Sequence, residues 1–194
     1  MAAMTWPPGL VPWSAAALFI LLTAAAAVDL KVGRIPNWLT YPAILIGLGL
    51  HALVGGIGLE PGKMGLTESL AGLAVGFVPL GLFWLAGGIG GGDAKLMAAI
   101  GALAGPGLTM ASLFYGALIA AVMAIVVMVQ KKLVVRTLRR VWHTLALLMA
   151  PKMRPADPTT ADSPKIPFAV ALCLGTAAAV LEALLRAGLN PHLG

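Results

Sequence analysis

Seven carboxylates are the only acidic side chains in this 194-residue chain. Two of them stand where a charge is costly. Asp29 closes the first long apolar run, and Asp93 opens another directly after Gly90-Gly91-Gly92. Ionisable groups at membrane depth are expensive and mark functional sites by default. Two carboxyls brought together in a poorly hydrated place cannot both ionise cheaply, so they share a proton and titrate as a unit. Such a pair can hydrolyse a peptide bond. One carboxylate takes a proton from water while its partner donates one to the carbonyl oxygen. Charge placement alone leaves a plainer reading open, in which Asp29 pairs with Lys31 or Arg34 and Asp93 caps a helix. Capping and catalysis are compatible at Asp93, because a helix N-terminus favours a charged carboxylate and so a role as base. The other five acids need less explanation. Glu60, Asp157 and Asp162 fall in expected loops, Glu68 near a helix start, and Glu182 four residues before Arg186.

The elements that must position Asp29 and Asp93 are apolar helices. The chain is 60% hydrophobic and 10% charged, with a mean hydropathy of +0.96. A soluble domain carries about 25% charged residues, so lipid is the solvent for most of this chain. A bilayer core takes roughly 20 apolar residues per helix. Six such spans are expected, at about 11–28, 38–57, 66–85, 94–104, 108–129 and 166–185. The fourth is short and is expected to be tilted, kinked or buried in protein. Glycine and proline punctuate the gaps, most clearly at Gly33 and Pro36, at Gly87 to Gly92, and at Gly105-Pro106-Gly107. Cys173 lies in an apolar run and reads as a buried small residue; alone it forms no internal disulfide and no cysteine-rich metal site. No Lys or Arg precedes the small-residue run at 23–27, so a cleaved secretory leader is not expected.

Six spans place all the Lys and Arg residues except Lys63 and Arg186 on one side. The positive-inside rule makes that side cytoplasmic and puts both termini outside. This distribution also argues against nucleic acid as the partner of the net charge of +6. In the 130–165 segment, Val134, Leu138, Val141, Leu145 and Leu148 recur at helical spacing, with Arg136, Arg139, Arg140 and His143 largely elsewhere on the wheel. That pattern fits an amphipathic helix on anionic cytoplasmic lipid, and equally a cytoplasmic extension of the fifth helix. The stretch 151–164 is rich in Pro, Asp, Thr and Ser and reads as a linker.

Local sequence adds a resemblance. Gly90-Gly91-Gly92-Asp93 matches the GxGD motif of membrane aspartyl proteases, and the run on to Ala94-Lys95-Leu96 is similar to its prepilin-peptidase version. Asp29-Leu30-Lys31, then Arg34-Ile35-Pro36-Asn37-Trp38-Leu39-Thr40, resembles that family's D…IPN-x-LT segment, the more specific of the two. Ile166-Pro167-Phe168-Ala169 resembles the Pro-Phe start of its last helix. The resemblance to prepilin peptidases (type IV leader peptidases) implies an all-α membrane protein, about six transmembrane helices with an amphipathic cytoplasmic helix, forming a single peptidase domain over 1–194. It implies Asp29 and Asp93 as the catalytic pair, with no metal, cofactor or covalent intermediate. The substrates implied are type IV prepilins or pseudopilins, cut at the cytoplasmic face of the inner membrane, with anionic lipid as the other partner. Larger family members carry a cytoplasmic region with paired cysteines and an N-methyltransferase activity. This chain has one cysteine, so methylation is not expected, and its length is similar to the compact peptidases of tight-adherence (Flp-type) pili.

Supporting roles follow for five residues. Gly90 and Gly92 would let Asp93 approach Asp29 and leave room for an extended substrate strand; the plain alternative is a flexible glycine loop. Pro36 and Asn37 would fix the turn into the second helix, with Asn37 as a cap. Lys95 would either tune the acid pair or hold a lipid phosphate. Two readings from other classes compete: a small ion- or proton-coupled transporter built on a Gly-interrupted helix, and a non-enzymatic assembly factor of a pilus or secretion machine.

Overall fold

The computed structural model describes residues 12–57, 65–131 and 167–189. Five helices run through them: α1 Pro12–Val32, α2 Asn37–Gly55, α3 Leu66–Leu85, α4 Gly91–Gln130 and α5 Phe168–Leu189. All five are long and apolar enough to cross a membrane, and the protein is an all-α, multi-pass membrane protein. The described residues up to Ala120, with α5, form one compact unit. Ala121–Ile166 form a second unit, of which only 121–131 is described. The expected amphipathic helix and linker lie outside the described residues.

Large apolar side chains such as Phe19, Leu45, Leu53 and Phe114 are exposed all round the helices. In water that surface would be unfavourable, but against acyl chains it is matched to its solvent. The interior combines large side chains such as Leu18, Leu96, Met97, Ile100 and Leu172 with many small ones. The first limb of α4 carries Ala94, Ala98, Ala99, Gly101, Ala102 and Ala104, all buried. A Cβ added to Gly101 would collide with the Gly72 carbonyl of α3, and one on Gly47 of α2 would come within 2.9 Å of the Ala102 backbone. Without a hydrophobic drive inside lipid, such close backbone packing is what holds helices together. This limb is short because neighbouring helices, rather than acyl chains, surround it.

The expected fourth and fifth spans are the two limbs of α4, two helices joined across a break at Gly105. At 40 residues a straight α4 would run about 60 Å, twice the bilayer core. It breaks at Gly105, whose φ of 78° and ψ of 173° lie in a region that only glycine occupies readily. Pro106 follows and supplies no N–H, so the carbonyl of Ala102 loses its helical donor. The Ser69 hydroxyl of α3 donates to that carbonyl at 2.5 Å. The break is therefore at the expected residues, and it separates the two limbs.

The α1 boundary differs from expectation. Helix continues to Val32 rather than stopping near 28, and Asp29 lies in its last turn, at the end of the span as expected. The 66–85 span coincides with α3, and Glu68 lies in its first turn as expected. Helix α1 packs against α2 and α5, and α2 against α3. Cys173 is buried in α5 and donates its thiol hydrogen to the Leu22 carbonyl of α1 at 3.3 Å.

Candidate functional site

Five helix ends meet where the chain's two distinctive acids lie. The Gly33 amide donates to the Asp29 carbonyl at 2.8 Å and closes α1. Pro36, extended at φ −77° and ψ 147°, then starts α2 at Asn37. Helix α3 closes with bonds from Gly87 N–H to Trp84 O at 2.9 Å and from Gly88 N–H to Phe83 O at 2.8 Å, the paired pattern of a Schellman motif. Within three residues α4 begins, with Asp93 in its first turn. The start of α5 completes the group, because the backbone amides of Ala169 and Val170 point to the Asp29 carboxyl.

Asp29 is buried, 7% exposed, and its Oδ2 has no hydrogen-bond partner among the described residues. The alternative that Asp29 pairs with a neighbouring cation is not what the structure shows. Lys31 and Arg34 are exposed, and neither forms an ion pair with Asp29. Asp93 is half-buried. Its amide donates to the Gly90 carbonyl at 3.1 Å, and its carboxylate accepts from the Gly90 amide. That reach-back is the capping-box arrangement, so Asp93 does cap its helix. It also lies within Coulomb range of Asp29. The two carboxyls that the fold brings together are thus 64 positions apart in sequence (93 − 29).

The glycine motif works by proximity. A Cβ on Gly92 would stand 3.1 Å from both the Cβ and the carbonyl oxygen of Ile35. Glycine lets the start of α4 lie directly on the turn between α1 and α2, where any other side chain would need a shift of a few tenths of an ångström. A Cβ on Gly90 would stand 3.0 Å from Asp93 Oδ2, so bulk there would crowd the acid itself. The expectation that Asn37 caps α2 is corrected. Pro36 takes the cap position, no side chain caps there, and Asn37 Oδ1 instead accepts a hydrogen bond from Lys95 Nζ at 2.9 Å. Lys95 also stands over the Tyr41 ring, 5.1 Å from its centroid.

The two motif segments of the sequence are therefore in contact in three dimensions. A family model described as the type IV leader peptidase family matches residues 16–125 of this chain, which is more than half of it and includes both segments. The chain belongs to the type IV leader peptidase family. No curated protein and no solved structure matched in the corresponding comparisons. Membership of the leader peptidase family carries a protease activity, aspartic in type, housed in a multi-pass membrane protein. The matched region stops short of α5, which brings the Ala169 and Val170 amides to Asp29 from beyond it. Among the described residues no three His, Cys, Asp or Glu side chains converge; the site offers two carboxyls, backbone amides and one nearby ammonium.

Sequence reasoning missed several neighbours. Tyr41 and the α5 amides gave no signal, since their roles depend on the register between helices. His51 was also missed. It is 1% exposed, donates from Nδ1 to the Gly47 carbonyl at 2.8 Å, and lies against Trp13 with ring centroids 4.7 Å apart, at the end of α2 away from the acids. The Glu182–Arg186 pair was expected and is present, but Tyr115 of α4 also donates to Glu182 Oε2 at 2.7 Å.

Proposed function

We propose that this protein is an aspartic endopeptidase that removes the leader from type IV prepilins or pseudopilins, with Asp29 and Asp93 as its catalytic pair. The observation that carries the reading is the meeting of these two carboxyls at one end of the bundle, with the glycine motif packed on the Ile35-Pro36-Asn37 turn. In the proposed reaction a water held between the carboxyls loses a proton to one of them as its oxygen bonds to the scissile carbonyl carbon. The other carboxyl donates its proton to the carbonyl oxygen. Collapse of the tetrahedral intermediate breaks the C–N bond, and the leaving nitrogen takes a proton from the pair. No covalent enzyme intermediate is needed.

The substrate we infer is an apolar helix with a short basic leader. Its helix would dock from the lipid side, leaving the scissile bond at the membrane boundary. The basic residues that follow α1, Lys31 and Arg34, support a cytoplasmic position for this end under the positive-inside rule, in the inner membrane of the cell.

Purified protein in liposomes should cut a pilin precursor at the junction of leader and apolar helix, as read by N-terminal sequencing of the product. D29N and D93N should each lower the rate by about 10²- to 10⁴-fold, the usual contribution of a general acid or base, while still inserting in the membrane. Cleavage at wild-type rate by either variant would refute the assignment.

A further inference from the structure

Lys95 is two residues beyond Asp93, about 200° further round the helix, so the two side chains leave α4 in different directions. Its ammonium reaches across to α2 instead. There it donates to Asn37 Oδ1 at 2.9 Å and stands 5.1 Å from the Tyr41 ring centroid. Asn37 and Tyr41 are one turn apart and so share a face of α2. No carboxylate among the described residues pairs with Lys95. An amide oxygen and an aromatic face stabilise the cation in place of a counter-ion.

We propose that Lys95, Asn37 and Tyr41 form a latch that sets the separation of the two aspartates, with Lys95 as a positioning residue. The inference rests on the catalytic reading of Asp29 and Asp93. The α1–α2 turn carries Asp29 at one end and Asn37 at the other, only eight residues apart (37 − 29). The start of α4 carries Asp93. Gly92 brings these segments into backbone contact at Ile35, but a glycine contact has no side chain to lock the register. The Lys95 bridge supplies that lock from the side of α4 away from Asp93. Lys95 therefore acts on geometry and does not take part in proton transfer. This differs from tuning of the acids by charge and from holding a lipid phosphate.

The test has a kinetic arm and a cross-linking arm. K95M and N37A should each lower kcat on a prepilin substrate by about 10- to 100-fold, the scale expected for misplacing a reacting group by an ångström. KM should stay within about twofold, as the substrate's apolar helix does not bind through the latch. The double variant should be no slower than either single one, because both remove the same bridge. K95R should keep most of the rate, since it still donates to Asn37. For the second arm, I35C and G92C are combined with C173A, which removes the native cysteine. A Cβ at 92 lies 3.1 Å from that of residue 35, close enough for oxidative cross-linking after small adjustment. Adding K95M should slow cross-link formation in membranes severalfold. The latch is overturned if K95M leaves kcat within twofold of wild type, if the K95M and N37A effects multiply, or if cross-linking is equally fast with and without Lys95. D93N run in parallel separates the two ideas. Its full activity would sink the catalytic pair, while the cross-linking rate would still judge the latch.

Discussion

Asp29 and Asp93 are supported by the backbone in different ways. Asp93 binds the amide of Gly90 at the start of its own helix, whereas Asp29 is approached by two amides from the start of α5, a distant part of the chain. A carboxylate facing a helix N-terminus gains from its unpaired N–H groups and from the helix dipole. Ala169 is the second residue of α5, a first-turn position where proline does not break a helix. A169P should therefore remove one donor to Asp29 while leaving α5 formed. A charge-assisted hydrogen bond of this kind is worth about 1.5–3 kcal/mol, so cleavage should slow by about tenfold or more, while circular dichroism in detergent still shows a folded, helical protein. An unchanged rate would show that this amide does not matter to the acid. At this scale the sequence was legible where function is written in contiguous residues: Asp29 before Ile35-Pro36-Asn37, and Asp93 after its glycines. It was silent on Asn37 with Lys95, which are 58 residues apart, and on Tyr115 with Glu182, 67 apart. Those pairings are decided by the register of one helix on another, for which a single chain carries no local signature.

At the scale of elements, the glycine and proline breaks located the helix ends well but did not say what each break does. Gly105-Pro106 divides α4 into two limbs, and neighbouring helices satisfy the backbone groups that the break releases. Ser69 provides the clearest instance, by donating to the Ala102 carbonyl that Pro106 cannot serve. S69A should leave that buried carbonyl unpaired and lower stability by about 1 kcal/mol, as for hydrogen bonds between membrane helices. A reduced thermal midpoint in detergent would register it. T23A is the control. The Thr23 hydroxyl is exposed and bonds only to carbonyls of its own helix, at 2.9 and 3.0 Å, so its loss should change the midpoint little. Equal effects from the two changes would contradict the role given to Ser69. The short fourth span was expected to be tilted, kinked or buried in protein, and it is buried. Ala and Gly make a weak hydrophobic signal, yet they are the residues that allow backbones to touch.

At the scale of the whole molecule, composition points to lipid as the solvent, and the placement of Lys and Arg supports the orientation proposed above. Arg34 and Ile57 are both exposed and follow opposite ends of α2. With C173A as background, R34C should be labelled by an impermeant thiol reagent from the cytoplasmic side and I57C from the other. The reverse pattern would turn the proposed site to the wrong face. The central claim is that the fold turns two separate acids into one chemical unit. Single-turnover cleavage of a pilin precursor by D29N, D93N and the D29N/D93N double variant measures this directly. Residues acting as one unit give strongly non-additive losses. Each single variant should therefore fall to the residual rate of the double, and losses that multiply from single to double, or a single variant that still turns over well above that rate, would contradict the account.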